Sequence, residues 1–431
     1  MALNEAIPRH RGCRDSFVRN FAKGTIRQTV TLDYIIGMLA SGGLKGIRIR
    51  PLIILRMGLY AIRELDSVPD HAAVSEAVNL ARKTARGNDR FVNAVLRSYL
   101  RRRDEFEQNT GIGSASESAG SMAEKVQEPQ FLSSIADPVK RLSVKYAMPE
   151  ELTSLISEQY GDKAEDILRG LNTPPKVVLR VNTLRITRDE LIAALGQEGI
   201  TAEPAEESEL AVVCEGGSII SSDLFRIGMF TVQNLSSIIA VESLAPRPGS
   251  KVLDMCAAPG GKSTMMAEMM DNKGLITACD IHSHRLELIE ASASRTGADI
   301  IETRLADGTV FDPSLAEKYD YVLADVPCSG LGVMASKPEI RLHTSASELK
   351  ELTDIQYGIL QNAYRYAREG GRICYSTCTL NKDENERLVQ RFIDSEGRFA
   401  RVIEMNTILP YNNLIGFYYC IIEKTVSQGE Q

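Results

Sequence analysis

The chain has 431 residues, 43% of them hydrophobic and 25% charged, with a net charge of −7; this is the composition of a globular protein, and the length implies two or three domains. No apolar run approaches the roughly 18 residues that span a bilayer, and the N-terminus has no secretory apolar region. Eight cysteines at irregular spacing, without a Cys-x-x-Cys pair, exclude a disulfide framework and argue against structural zinc. The expectation is a reducing cytoplasm, with neither membrane nor metal as partner and a monomer as the favoured state.

Charge is divided unevenly. Residues 1–103 hold nineteen Lys and Arg against eight Asp and Glu, a balance of +11, so the rest of the chain carries −18. A basic front end on an acidic body suggests contact with a polyanion, although a solvated helical surface would give the same count. Within it, Phe17, Phe21, Leu32, Ile35, Ile36 and Leu39, then Leu52, Leu55, Leu59 and Ile62, recur at helical spacing. Helices are predicted through residue 103, and residues 1–106 are assigned to an all-α domain. Residues 107–130 are rich in Gly, Ser, Ala, Glu and Gln and read as a flexible linker.

Residues 131–228 read as a small α/β module. Helices are predicted over 138–170, with Asp137 before Pro138 as a start signal. A strand at 177–182 follows, then a helix from Thr187 with a capping box to Glu190, then a strand near 210–213. From 229 to 431, strands near 251–254, 275–279, 300–303, 320–325 and 371–375 alternate with helices at 262–271, 284–296, 350–368 and 383–395. That alternation implies βαβ units in a mostly parallel, doubly wound, Rossmann-like sheet. Runs at 402–405 and 417–422 suit a closing hairpin.

Three motifs carry chemistry. Val252-Leu253-Asp254-Met255-Cys256-Ala257-Ala258-Pro259-Gly260-Gly261-Lys262 joins a strand to a helix, where open α/β sheets bind ligands, and its two glycines admit close approach of the backbone. Asp280 ends the next strand, where a carboxylate grips ribose hydroxyls in dinucleotide folds, and Asp307 follows the third. The full Gly-x-Gly-x-x-Gly pattern is absent, so a nucleoside without phosphates, such as S-adenosylmethionine, fits better than a dinucleotide. Cys328, in Asp325-Val326-Pro327-Cys328-Ser329-Gly330, and Cys378, in Tyr375-Ser376-Thr377-Cys378-Thr379, each follow a buried strand. Two thiols at strand ends beside such a loop suggest covalent catalysis on an unreactive ring. C5 of a cytosine becomes enamine-like once a thiolate has added to C6. Cys256, Cys279, Cys374 and Cys420, in or beside apolar runs, read as small packing residues.

Together the three motifs resemble the RsmB/Nop/Sun family of RNA cytosine-5 methyltransferases. His71-Ala72-Ala73-Val74-Ser75-Glu76-Ala77-Val78 and Phe91-Val92-Asn93-Ala94-Val95-Leu96-Arg97 resemble the NusB-like helical domain of its bacterial RsmB branch, and Leu179-Arg180-Val181-Asn182-Thr183 its small RNA-binding module. The resemblance implies S-adenosylmethionine as cofactor, held by Cys256, Ala257, Ala258, Pro259, Gly260, Gly261, Lys262, Asp280, Asp307 and Asp325. It implies Cys378 as the nucleophile and Cys328 as the group that assists product release, an order the residues alone leave open because DNA cytosine methyltransferases use the other thiol. Lys262 and Asp325 are further candidates for contact with the target base, and small-subunit 16S rRNA is the expected substrate. Three departures stand out: the helical domain looks short at its start, Asn234 replaces an acidic residue, and Ile415 stands where an aspartate usually precedes Gly416-Phe417. Two rival readings are a dinucleotide-dependent oxidoreductase, which has no use for the thiols, and a non-catalytic NusB-like RNA-binding or antitermination factor.

Overall fold

The computed structural model describes residues 15–107, 128–215, 219–342 and 346–425. Residues 108–127 of the expected linker, and the start of the chain through residue 14, lie outside them. The chain divides into two units, Met1–Asn172 with Lys337–Leu342, and Thr173–Ser336 with His343–Gln431.

The first unit is helical: α1 (Asp15–Arg27), α2 (Thr29–Leu39), α3 (Ile49–Glu64), α4 (Asp70–Thr84), α5 (Asp89–Arg101), α6 (Arg103–Glu107), α7 (Gln130–Ser133), α8 (Pro138–Lys145), α9 (Glu150–Tyr160) and α10 (Ala164–Gly170). On α5 the inward stripe is Val92, Val95, Leu96 and Tyr99, each at most 3% exposed, spaced so that one face turns to the core. They pack with Leu32, Ile36, Leu55 and Leu59, and burying a side chain of this size stabilises the fold by roughly 1.5–3 kcal/mol. Phe131, Leu132 and Val144 join the same core, and the Thr31 hydroxyl donates to the Val144 carbonyl. Val144 ties α8 to this core, and the unit includes residues through Asn172, whereas residues 131–170 are assigned from sequence to the small α/β module. Local helical periodicity does not reveal which core a helix joins.

The second unit holds two sheets. The smaller contains β1 (Val177–Val181), β2 (Thr201–Pro204), β3 (Ala211–Glu215) and β4 (Phe230–Val232), in the order β2-β3-β1-β4, all antiparallel. Helix α11 (Arg188–Gln197) starts with the expected capping box between Thr187 and Glu190. A one-turn helix α12 (Asp223–Arg226) precedes β4. Because β4 pairs with β1, the small module extends past residue 228. Three residues were too few to read as a strand from sequence.

The larger sheet follows α13 (Leu235–Leu244), a helix that sequence periodicity did not reveal because it is buried on most sides, with Ser236 and Ser237 among the buried residues, so no clean polar stripe marks a solvent face. Its elements are β5 (Lys251–Asp254), α14 (Gly261–Met269), β6 (Leu275–Asp280), α15 (Ser283–Thr296), β7 (Ile301–Leu305), β8 (Tyr319–Asp325), α16 (Ala346–Tyr366), β9 (Ala367–Thr377), α17 (Glu386–Glu396), β10 (Ala400–Ile408) and β11 (Phe417–Lys424). The order is β10-β11-β9-β8-β5-β6-β7. Strands β7, β6, β5, β8 and β9 run parallel, and β11 and β10 close the edge as the expected antiparallel hairpin. Strand order reverses on either side of β5, so the loop after it opens at the switch point where doubly wound sheets take their ligands. Ile415 is buried, and its main-chain N–H and C=O both pair with the Ser236 hydroxyl, which holds the approach to β11 without an aspartate.

Candidate active site

Strand β5 ends in Asp254, and its loop is pinned at two points. The Met255 N–H donates to the Leu323 carbonyl at 2.9 Å and the Ala257 N–H to the Cys279 carbonyl at 2.8 Å. Gly260 has φ +100°, and a Cβ there would stand 3.1 Å from the Ile289 Cα, so only glycine fits this turn. Asp254 is 1% exposed; its Oδ2 accepts from the Ser263 hydroxyl at 2.6 Å, while its Oδ1 is buried without a partner. Burial pushes this carboxyl up to about 7, against the opposing pull of Ser263 and Lys262. An orphaned carboxylate oxygen beneath a loop of small residues suits a cationic, hydrogen-bonding ligand.

Asp280 ends β6, buried, and accepts from the His282 N–H at 3.0 Å and the Arg285 guanidinium at 3.1 Å. Arg285 also donates to the Ala258 carbonyl, tying the acid to the loop. Asp307, after β7, accepts from the Thr309 N–H and hydroxyl, and it lines a cavity of about 400 Å³ with Met255, Gly308 and Phe311. Neither Cys328 nor Cys378 lines that cavity.

Strands β8 and β9 bring the pair together. Their parallel register sets Asp325 level with Ser376, and just beyond, the Cys328 and Cys378 sulfurs lie 3.2 Å apart. The Cys378 N–H points at the Cys328 Sγ from 3.3 Å. The hydrogen bond with Cys378, burial, and the charges of Cys378 and Glu384 hold the Cys328 thiol well above the ordinary range. One residue pair back, Asp325 accepts from the Lys262 ammonium at 2.6 Å through Oδ2 and from the Ser376 hydroxyl at 2.8 Å through Oδ1. Burial opposes the charge on Lys262, but Asp325 outweighs it and raises the pKa. Loop lysine, strand-end acid and both thiol segments thus form one connected site.

Sequence reasoning missed Glu384. It has no exposed surface. Its Oε2 accepts from the Ser329 N–H and the Gln356 amide, each at 2.9 Å, and its Oε1 from the Ser329 hydroxyl at 2.6 Å and the Asn381 amide at 3.2 Å. A helix read from 383 would leave this acid on a solvated first turn; α17 starts at Glu386, and Glu384 sits in the turn before it. The polar run Asn381-Lys382-Asp383-Glu384-Asn385 directly after a thiol segment was the available signal.

The family model of 16S rRNA methyltransferase RsmB/F matches residues 241–415, which contain the loop, both thiols and Glu384; the NusB family matches 3–101, and the ferredoxin-like domain of RsmF/B-like methyltransferases matches 148–220. A probable ribosomal RNA small subunit methyltransferase B of Bacillus subtilis (strain 168) is 34% identical over 415 residues, 94% of this chain and 85% of the relative. The chain belongs to the RsmB/F family of 16S rRNA methyltransferases. A second RsmB/F relative, a probable ribosomal RNA small subunit methyltransferase B of Synechocystis, is 30% identical and covers 88% of this chain and 80% of its own. The crystal structure of a methyltransferase homolog protein from Pyrococcus horikoshii, 24% identical, shares the fold with a TM-score of 0.61 over 68% of this chain and all of that one.

In this RsmB/F chain Arg180, in the segment likened to an RNA-binding module, is fully buried. Its guanidinium is bidentate to Glu268, at 2.7 and 2.9 Å, and donates also to Gln233, Thr264 and the Gly261 carbonyl. It braces the loop after β5 from within the unit. Asn182 likewise spends its amide on the Gly228 and Thr296 carbonyls. Cys279, Cys374 and Cys420 are buried as expected, and burial pushes the thiols of Cys279 and Cys420 up to about 12; Cys256 is half-buried and its thiol is pushed higher still. Among the described residues no group of three His, Cys, Asp or Glu could hold a metal ion, and no helix is long and apolar enough to cross a membrane.

Proposed function

We propose that this RsmB/F methyltransferase transfers a methyl group to C5 of a cytosine in 16S rRNA through a covalent bond between Cys378 and C6. The observation that carries the reading is the meeting of two thiols, 3.2 Å apart, at the ends of adjacent parallel strands, joined through Asp325 and Lys262 to the loop after β5. The sulfonium of S-adenosylmethionine would supply the methyl group. Cys256 to Lys262, with Asp280, Asp307 and Asp325, would hold it, and the unpartnered Asp254 Oδ1 fits a cationic ligand there.

The residues divide the remaining work. The Cys378 thiolate adds to C6, and the electron pair of the C5–C6 double bond becomes nucleophilic at C5. After transfer, a base takes the C5 proton, the double bond re-forms and the Cys378 sulfur leaves with its electrons. The partner sulfur of Cys378, burial and Glu384 hold the Cys328 thiol protonated, which accords with a role other than first attack. Cys328 stands in contact with Cys378, where it assists that release. Lys262 and Asp325 border the same space and would orient the target base.

An RNA substrate accords with the helical unit. Arg48, Arg50, Lys83 and Arg86 line a cleft of about 460 Å³ without a carboxylate in its wall. Among the described residues none of the four is ion-paired, whereas Arg56, Arg82, Arg102 and Arg103 are paired to Asp33, Asp89, Glu105 and Asp70. Cations left without acidic partners form an electrostatic footprint for a phosphate backbone. Bisulfite mapping of 16S rRNA from cells lacking the protein tests the reading. Loss of 5-methylcytosine at one position, restored by the wild-type chain, supports it. An unchanged map, with RNA binding retained, would return the protein to the class of non-catalytic RNA-binding factors.

A further inference from the structure

Glu384 lies in a turn between the Cys378 segment and α17, yet its carboxylate is committed to the other thiol loop. It takes both the N–H and the hydroxyl of Ser329, the residue after Cys328. The same Ser329 hydroxyl lies 2.7 Å from the hydroxyl of Thr379, the residue after Cys378. Gln356, from α16, donates one amide to both Glu384 and the Pro327 carbonyl, so Cys328 is held from its other side as well. The backbone around Glu384 is fixed in turn: its carbonyl accepts from the buried Tyr375 hydroxyl, and the Asn385 side chain bridges Thr377 and Thr379. A carboxylate with no exposed surface, met by four donors from three segments, is an ordered hub rather than a solvated turn residue.

The structure assigns Glu384 as the positioning residue that seats the Cys328 loop against Cys378 and thereby controls release of the methylated base. This rests on the covalent reading above and deepens it. Glu384 does not touch the reacting atoms. It fixes where the Cys328 sulfur stands relative to the carbon–sulfur bond that must break, and its charge works with Cys378 and burial to keep the Cys328 thiol protonated. Glu348 and Glu351 line a cavity of about 370 Å³ together with Cys328 and Ser329.

The inference separates two steps. Addition of Cys378 to the base and methyl transfer do not need the Cys328 loop in register; release does. Purified Glu384→Gln and Glu384→Ala proteins are incubated with a 16S rRNA fragment and S-adenosylmethionine, beside wild type and Cys328→Ala. Covalent protein–RNA adduct, methyl incorporation, melting temperature and S-adenosylhomocysteine affinity are measured. Loss of a buried charged hub is expected to slow release by about tenfold or more, so both variants accumulate adduct toward the Cys328→Ala level while binding S-adenosylhomocysteine as wild type does. Glu384→Gln keeps the side chain's size and carries the test if the alanine variant melts too low. Activity lost with no adduct, or in step with loss of folded protein, while Cys328→Ala does accumulate adduct, would overturn the assignment and leave the covalent reading intact. A Cys328→Ala protein that itself yields no adduct would bring down that reading and this inference together.

Discussion

Arg180 and Glu268 form a bidentate ion pair that is shut away from solvent, with side-chain exposures of 0% and 3%, and the same guanidinium reaches the carbonyl of Gly261 in the loop after β5. Removing one member of such a pair leaves a buried charge uncompensated, which costs about 3–5 kcal/mol. Burial already pushes the Glu268 carboxyl upward, and Arg180 is what opposes it. Arg180→Met is therefore expected to lower the melting temperature sharply and to weaken S-adenosylhomocysteine binding, since Gly261 loses its donor. The double substitution Arg180→Met with Glu268→Met should recover most of the stability but not the affinity. Calorimetry on the three proteins checks this; a double variant as unstable as the single one contradicts it.

Asp254 gives the free enzyme a specific pH dependence. Its carboxyl titrates near 3.8 when unfolded and at about 7 in the fold, so the folded state holds the proton more tightly. Asp254 thus penalises folding above pH 7, and the penalty is relieved as pH falls from 7 toward 4, at about 1.4 kcal/mol per pKa unit. Asp254→Asn, measured without cofactor, is expected to melt higher than wild type at pH 8, with the gap narrowing by more than half at pH 5 and closing only toward pH 4. A gap that is constant across that range would contradict the assignment.

The basic cleft of the helical unit carries a prediction about salt. Neutralising Arg48, Arg50, Lys83 and Arg86 to Gln leaves the protein folded, at about 0.5 kcal/mol or less per substitution, because all four are exposed. It should weaken binding of a 16S rRNA fragment and flatten the dependence of log affinity on log salt by about 0.7–0.9 per lost phosphate contact. Titrations at several potassium chloride concentrations decide it. An unchanged slope would place the RNA elsewhere on the protein.

Much of this architecture was legible in the residues. Alternating strands and helices gave the parallel sheet, because βαβ periodicity is local and strong from Val252 to Tyr375. The thiol segments were legible because Cys328 and Cys378 sit in short motifs at strand ends. Membership of a core was less so. Phe131 and Val144 bury against the front helices through contacts far apart in sequence, which a helical stripe does not specify. The bracing role of Arg180 was not legible, because a lone arginine in a strand carries no sign of the buried Glu268 that meets it 88 residues later. Glu384 was hidden for the same reason: its partners Ser329 and Gln356 come from two other segments, and a boundary error of three residues at α17 placed it in solvent. Polar groups buried by tertiary contact are what one-dimensional reading loses.

In the proposed mechanism Cys378 attacks the base, and Cys328, whose thiol pKa is raised and whose sulfur touches Cys378, assists release. The most direct measurement is intact-mass analysis of each thiol variant after incubation with a 16S rRNA fragment and S-adenosylmethionine. Cys328→Ala is expected to carry the mass of protein plus methylated RNA, and Cys378→Ala to run as protein alone with no methyl transferred. An RNA adduct on Cys378→Ala with none on Cys328→Ala would contradict the account.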